Sequence, residues 1–146
     1  MRRVETPNHS FEGNTMLKIA TVSILAVAAS ALFSNPAVAD VAQDLQNICT
    51  IVKADDKDEL RKKMKKVESD HSLKLQDYYT GISCGGDSLI RTAILNNAIE
   101  SGTLMIKKMP KSQLTAPEAD GKTLIDWTAE KGLNNSPLIT ELQSRI

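Results

Sequence analysis

Apolar residues recur along the chain at helical spacing. Val41, Leu45, Ile48, Cys49 and Val52 fall at i, i+4, i+7, i+8 and i+11, one face of an amphipathic helix. A polar break follows, in which Asp55 or Asp56 is placed to cap the next helix. There Leu60, Met64 and Val67 repeat at i, i+4 and i+7. Asp58 and Glu59 open this second helix, and Arg61, Lys62, Lys63, Lys65 and Lys66 fill its later half. Acid first and base last complements the helix dipole, and Asp58 with Lys62 and Glu59 with Lys63 have the i, i+4 spacing of ion pairs. The run from His71 to Gly81 predicts a shorter helix, capped by Ser72 and stopped by Gly81, with Tyr78 and Tyr79 partly buried. After the Gly85-Gly86 turn, Leu89, Ile90, Ala93 and Ile94 make a further stripe. Thr103 to Met109 is apolar and basic and ends at Pro110, and a linker runs from Lys111 to Asp120. Ser136 and Pro137 mark the start of a last helix, with Leu138, Ile139 and Leu142 as its buried stripe. No run alternates with period two. The pattern predicts an all-α fold, a small bundle of about six short helices.

Two stretches repeat. "GDSLIRTAILNN" overlays "GKTLIDWTAEKG" at a constant offset of 35 residues. Gly86 and Gly121 supply a tight turn, Ser88 and Thr123 a helix cap, and Leu89-Ile90 and Leu124-Ile125 a pair for the core. Asn97 and Gly132 stand where a left-handed residue ends a helix. Gly121, Thr123, Ile125, Ala129 and Gly132, like Gly86, Ser88, Ile90 and Ala93, resemble the ankyrin pattern in spacing. Leu89 and Leu124 replace the motif's proline, and Arg91 and Asp126 its histidine. The resemblance implies that the C-terminal half forms two ankyrin-like helical hairpins, with the two N-terminal helices covering a stack too short to stand alone. Gly121-Lys122-Thr123 also shares its letters with the end of a phosphate-binding loop. That motif needs a glycine five positions earlier, where this chain has Ala116, and Pro117, Glu118 and Asp120 make a poor cradle for phosphate. Nucleotide binding is therefore not expected.

Ahead of the helices, Met16-Leu-Lys18 leads into an apolar run from Ile19 to Phe33, then Ala37-Val38-Ala39. A basic start, a short apolar core and an Ala-x-Ala end predict a signal peptide over residues 16–39, cleaved between Ala39 and Asp40. The run is short against the roughly 20 residues of a spanning helix. Residues 1–15 form an N-terminal extension before this internal start, either untranslated or an elongated leader, and residues 40–146 form one helical domain. Cys49 and Cys84 both lie in the exported part, where an oxidising compartment favours one disulfide. A zinc site would have only His71 to add in the mature chain, so no metal and no cofactor is expected. The whole chain has 18 Lys and Arg against 18 Asp and Glu, and 3% aromatic residues. That balance gives no field for nucleic acid and little material for base stacking.

The middle of the chain carries a second resemblance. Cys49, the Lys53-Ala54-Asp55-Asp56-Lys57 break, the Arg61-Lys62-Lys63 helix, and Gly81-Ile82-Ser83-Cys84 leading into Ser88-Leu89 resemble a family of small exported bacterial proteins of unknown function, DUF3718. The resemblance spans roughly residues 45–109. It implies export and a paired-cysteine helical domain, and it carries no activity and no catalytic residues.

No paired carboxylates, metal cluster or nucleophile–base pair emerges from the sequence, and His71 has no triad spacing, so the protein is not expected to be an enzyme. One functional expectation is a periplasmic or secreted module that binds another protein, with Trp127 as a core residue or a partner anchor. The alternative is a binder of anionic lipid or glycan on the envelope through Arg61, Lys62, Lys63, Lys65 and Lys66, residues that a solvated helix face would also explain.

Overall fold

A computed structural model describes residues 36–146, with side chains from Asp40 onward. The expected signal peptide, up to its last four residues, and the N-terminal extension lie outside the described residues. The order is α1 (Pro36–Lys53), α2 (Lys57–His71), α3 (Leu75–Tyr78), a 3-10 turn (Tyr79–Gly81), α4 (Leu89–Leu95), α5 (Ile99–Lys108), α6 (Lys111–Leu114), α7 (Leu124–Glu130) and α8 (Pro137–Arg145). The described residues contain no strand, and the fold is all-α as the pattern predicts. Six of the eight helices have seven residues or more, and α3 and α6 are single turns. The segment read as a linker thus holds α6, whose Leu114 is buried.

The predicted stripes face inward. Ile48 and Val52 of α1 meet Leu60, Met64 and Val67 of α2, and all five join the core with Leu89, Ile90 and Ala93 of α4. Burial of each such aliphatic side chain contributes about 1.5–3 kcal/mol before chain entropy is counted. α5 lies at the centre, packed on α4 and α8 and touching α2 and α3, while α1 rests on α2 and α4. The α5–α8 approach depends on Gly102. A Cβ there would sit 2.7 Å from Leu138 Cδ2, and Leu138 is fully buried. In a free helix Gly→Ala is favourable by about 1 kcal/mol. Here overpacking outweighs that gain, so Gly102→Ala is expected to lower stability by about 1 kcal/mol, measured by urea unfolding, and Gly102→Val by more.

The break between α1 and α2 has two jobs. Asp56 caps α2, its Oδ1 accepting the Glu59 N–H at 2.8 Å. Asp55 turns away, with φ 55°, and its carboxylate accepts the N–H groups of Ser101 at 2.7 Å and Glu100 at 3.2 Å. It thereby caps α5, a helix whose own N-cap residue, Ala98, has no side-chain acceptor. Ser72 does not cap α3. It closes α2 in the left-handed conformation, and the Asp77 carboxylate accepts the Lys74 N–H at the start of α3. Tyr78 and Tyr79 are buried rather than partly buried.

The 35-residue repeat is a structural repeat over its turn and first helix. Gly86 and Gly121 both have positive φ, at 102° and 77°. Ser88 Oγ accepts the Arg91 N–H and Thr123 Oγ1 accepts the Asp126 N–H, opening two seven-residue helices. Asn97 and Gly132 close them at φ 52° and 68°. The bond from Ala98 N–H to the Ala93 carbonyl has its twin in Leu133 to Thr128, both at 2.8 Å. The units then diverge, because α5 starts at Ile99 and α8, with Ser136 as cap and Pro137 as its first residue, starts later relative to Gly132.

Candidate functional site

Arg91 interrupts the apolar face of α4 and is nevertheless buried. Its burial is made tolerable by two carboxylates from the stretch between α6 and α7. Nη1 and Nη2 donate to the two Asp120 oxygens at 2.8 and 2.9 Å, and Nη2 also reaches the Lys122 carbonyl at 3.2 Å. Nε lies 2.5 Å from Glu118 Oε2, a charge contact without hydrogen-bond alignment. The guanidinium sits over the Trp127 ring, 4.9 Å from its centroid. Beside it, the Tyr79 hydroxyl donates to Glu118 Oε1 at 2.7 Å and lies 3.0 Å from Ser88 Oγ. The repeat pairs its two units through this cluster, since Arg91 comes from the first and Trp127 from the second.

These residues floor a cavity of about 690 Å³. Ile82, Ser83 and Asp87 from the loop before α4 form one wall, and Gln113, Ala116 and Pro117 form the other. The electrostatics follow from the packing. Arg91 holds the Asp120 carboxyl down at about 2, although burial opposes this. Burial, with the charge of Glu118, pushes the Tyr79 phenol well above its ordinary value and keeps it protonated. Ser88 spends its oxygen on capping α4.

Cys49 and Cys84 are joined, with 5.5 Å between their Cα atoms. Cys84 N–H donates to the Asp87 carbonyl at 2.8 Å, so the disulfide fastens the cavity loop to α1. The bond is compatible with an oxidising extracellular compartment. Among the described residues no helix is long and apolar enough to cross a membrane.

Of the basic residues of α2, Arg61, Lys62, Lys63, Lys65 and Lys66 do not act as one face. The expected i, i+4 partners are replaced by i, i+3 pairs, Arg61 with Asp58 at 3.1 Å and Lys62 with Glu59 at 3.5 Å. Lys63 and Lys66 turn to α1, where the buried Asp44 receives them at 3.0 and 3.1 Å, and Lys66 also meets Asp70 at 2.7 Å. His71 is at the end of α2, not at a helix start, and is largely covered, with Nε2 3.7 Å from the same Asp44 carboxylate. Arg61 and Lys65 instead edge a cleft of about 170 Å³, together with Lys74 and Lys108. Trp127 is buried and lies under Arg91, so it fills the core and the cavity floor at once. Lys122 pairs with Glu130, and Thr123 caps α7, which is how the Gly-Lys-Thr letters are used.

The hydrogen bonds of Lys63 and then Lys66 hold the Asp44 carboxyl below the ordinary aspartate value, against its burial. A depressed folded-state value stabilises above the unfolded value, about 3.9, and that contribution is lost as pH falls below it. Asp44→Asn is expected to lower stability by about 1 kcal/mol at pH 7. The difference from wild type should shrink between pH 5 and pH 2 in thermal melts, and a pH-independent gap would contradict the assignment.

No curated protein and no solved structure matches the chain. The ankyrin-like reading gains no support beyond the local turn geometry of the two units. The family model described as "Protein of unknown function (DUF3718)" does match, over residues 48–116. That match runs from within α1 to just past α6 and takes in both joined cysteines and most of the cavity lining.

Proposed function

We propose that the protein is a small, exported, non-catalytic helical module that binds another protein, and that the Arg91 cavity is where it does so. The observation that carries this reading is the cavity itself. Its polar floor is assembled in advance from two sequence units, which is the preorganisation a binding site needs. Export is supported by the leader pattern before Asp40 and by the joined cysteines. A non-catalytic role is supported by the commitment of its polar groups. Ser88 caps a helix, and Tyr79 is locked on Glu118 with its phenol raised far from neutrality.

The test is capture from an extract of the exported fraction, with wild type compared with Thr80→Trp. Thr80 is exposed at the cavity, and a large side chain there blocks the site without disturbing the core. A partner held by wild type and lost by Thr80→Trp supports the reading, and one held equally by both refutes it. Mass spectrometry of native protein tests export, with a polypeptide starting at Asp40 and both sulfurs oxidised as the expected species.

The cleft of Arg61, Lys65, Lys74 and Lys108 favours a second reading, in which an anionic lipid or glycan group docks there. It uses only Arg61 and Lys65 of the basic helix, because Lys63 and Lys66 are engaged by Asp44. Co-sedimentation with anionic vesicles that weakens with salt, and weakens further in Lys65→Gln/Lys108→Gln, would favour it over the cavity.

A further inference from the structure

We propose that the cavity is a subsite for a cationic side chain, an ammonium or guanidinium group carried in by an extended segment of the partner. The inference rests on the binding role given above and names the chemistry that role selects. Three carboxylates, of Asp87, Glu118 and Asp120, line the cavity against one guanidinium, that of Arg91. The guanidinium has little left to offer an anion. Nη1 and Nη2 are held by Asp120, Nη2 also by the Lys122 carbonyl, and Nε by the charge of Glu118, while one face lies on Trp127.

The acceptors are in the opposite condition. Gln113 Oε1 is buried and receives no hydrogen bond, and Glu118 Oε2, buried as well, has only its charge contact with Arg91 Nε and no aligned donor. The Gln113 amide is fixed by its other end, which donates to the Gln76 carbonyl at 3.1 Å. Buried acceptors without donors are costly, and surplus negative charge in a recess is costly as well. A ligand bearing several N–H donors and a positive charge relieves both. A neutral donor relieves only the first, and an anion relieves neither. At about 690 Å³ the cavity exceeds a single side chain. The remaining space, against Ile82, Pro117 and Trp127, suits the apolar stem of a lysine or arginine and the backbone on either side.

The test uses the oxidised full chain and four end-blocked tripeptides, Ala-X-Ala, with X as lysine, arginine, norleucine or glutamate. Binding is read from Trp127 fluorescence and from the backbone amide shifts of residues 82–91. The lysine and arginine peptides are expected to bind about tenfold tighter than norleucine, with glutamate weakest, since charge-assisted bonds in a recess are the strong ones. Glu118→Gln should weaken the lysine peptide, but it also disturbs Arg91 and Tyr79. Asp87 makes no side-chain hydrogen bond in that network and acts on Arg91 only through its charge, so Asp87→Asn is the cleaner variant and should weaken lysine binding about threefold while leaving the norleucine peptide unchanged. If norleucine or glutamate binds as well as lysine, the cationic preference is overturned and the cavity remains a binding site. If no peptide moves the resonances while Thr80→Trp still abolishes partner capture, the cationic subsite falls alone. If capture is also indifferent to Thr80→Trp, both fall.

Discussion

Arg91→Met is expected to lower stability by about 3 kcal/mol, or roughly 15 °C in Tm, the largest loss from any single polar substitution in this fold. The Arg91 side chain is 6% exposed, and its partner Glu118 is 12% exposed. Removing the cation leaves Glu118 as a buried charge with only the Tyr79 hydroxyl for company. Asp120 is 39% exposed and can turn to water, so the expected loss is set at the low end of the range for broken buried pairs. Arg91→Lys should recover only a part, because an ammonium cannot reproduce the two-pronged contact with Asp120 or lie flat on Trp127. The sharper test is the double variant Arg91→Met/Glu118→Gln. Removing the orphaned charge should restore at least about 1 kcal/mol relative to Arg91→Met alone. A strictly additive double variant would show that Glu118 does not depend on Arg91.

Loss of the Cys49–Cys84 bond is expected to be comparable. The bond closes a loop across a sequence separation of 35 residues. Chain-entropy arguments put its contribution at about 3–4 kcal/mol, a large share of the roughly 5–15 kcal/mol a small domain has in total. The double variant Cys49→Ser/Cys84→Ser should unfold at correspondingly lower denaturant. Reductant should destabilise wild type to the same extent and leave the double variant untouched. Equal stability of the oxidised and reduced wild type would refute the role. The loss should be felt first at the cavity, because Cys84 lies in the loop that carries Ile82, Ser83 and Asp87.

Most local features of this fold were readable before the structure, the role of Ser72 and the ion pairing along α2 excepted, and contacts between distant segments were not. The stripes of α1 and α2, the caps at Ser88, Thr123 and Ser136, and the left-handed stops at Asn97 and Gly132 each depend on residues within a turn or two of one another. The cysteine pairing was readable because only one pairing exists within a single chain. By contrast, the Asp55 cap on α5 spans 45 and 46 residues, the Arg91–Asp120 pair 29, and the Asp44–Lys63 pair 19. No periodicity encodes such contacts, because they exist only once the helices are placed. A signal for Arg91 was nonetheless present. It sits inside Leu89-Ile90-Arg91-Thr92-Ala93-Ile94, where a charge amid core-facing residues must find partners or keep the helix from burying. The same reasoning would not have found α6, whose four residues carry no pattern of their own.

The seat of Leu138 on Gly102 has a consequence for how this domain can be cut. The matched region ends at residue 116, yet the bare backbone of α5 at Gly102 is shaped for a side chain that arrives from α8, beyond that limit. A fragment trimmed to the matched region would keep its cross-link, the end of α1 and the helices α2 to α6, and would still expose an unsealed apolar seam along α5. The unit that folds on its own is therefore expected to be wider than the matched region, and protein prepared for crystallisation or binding work should run to the last helix.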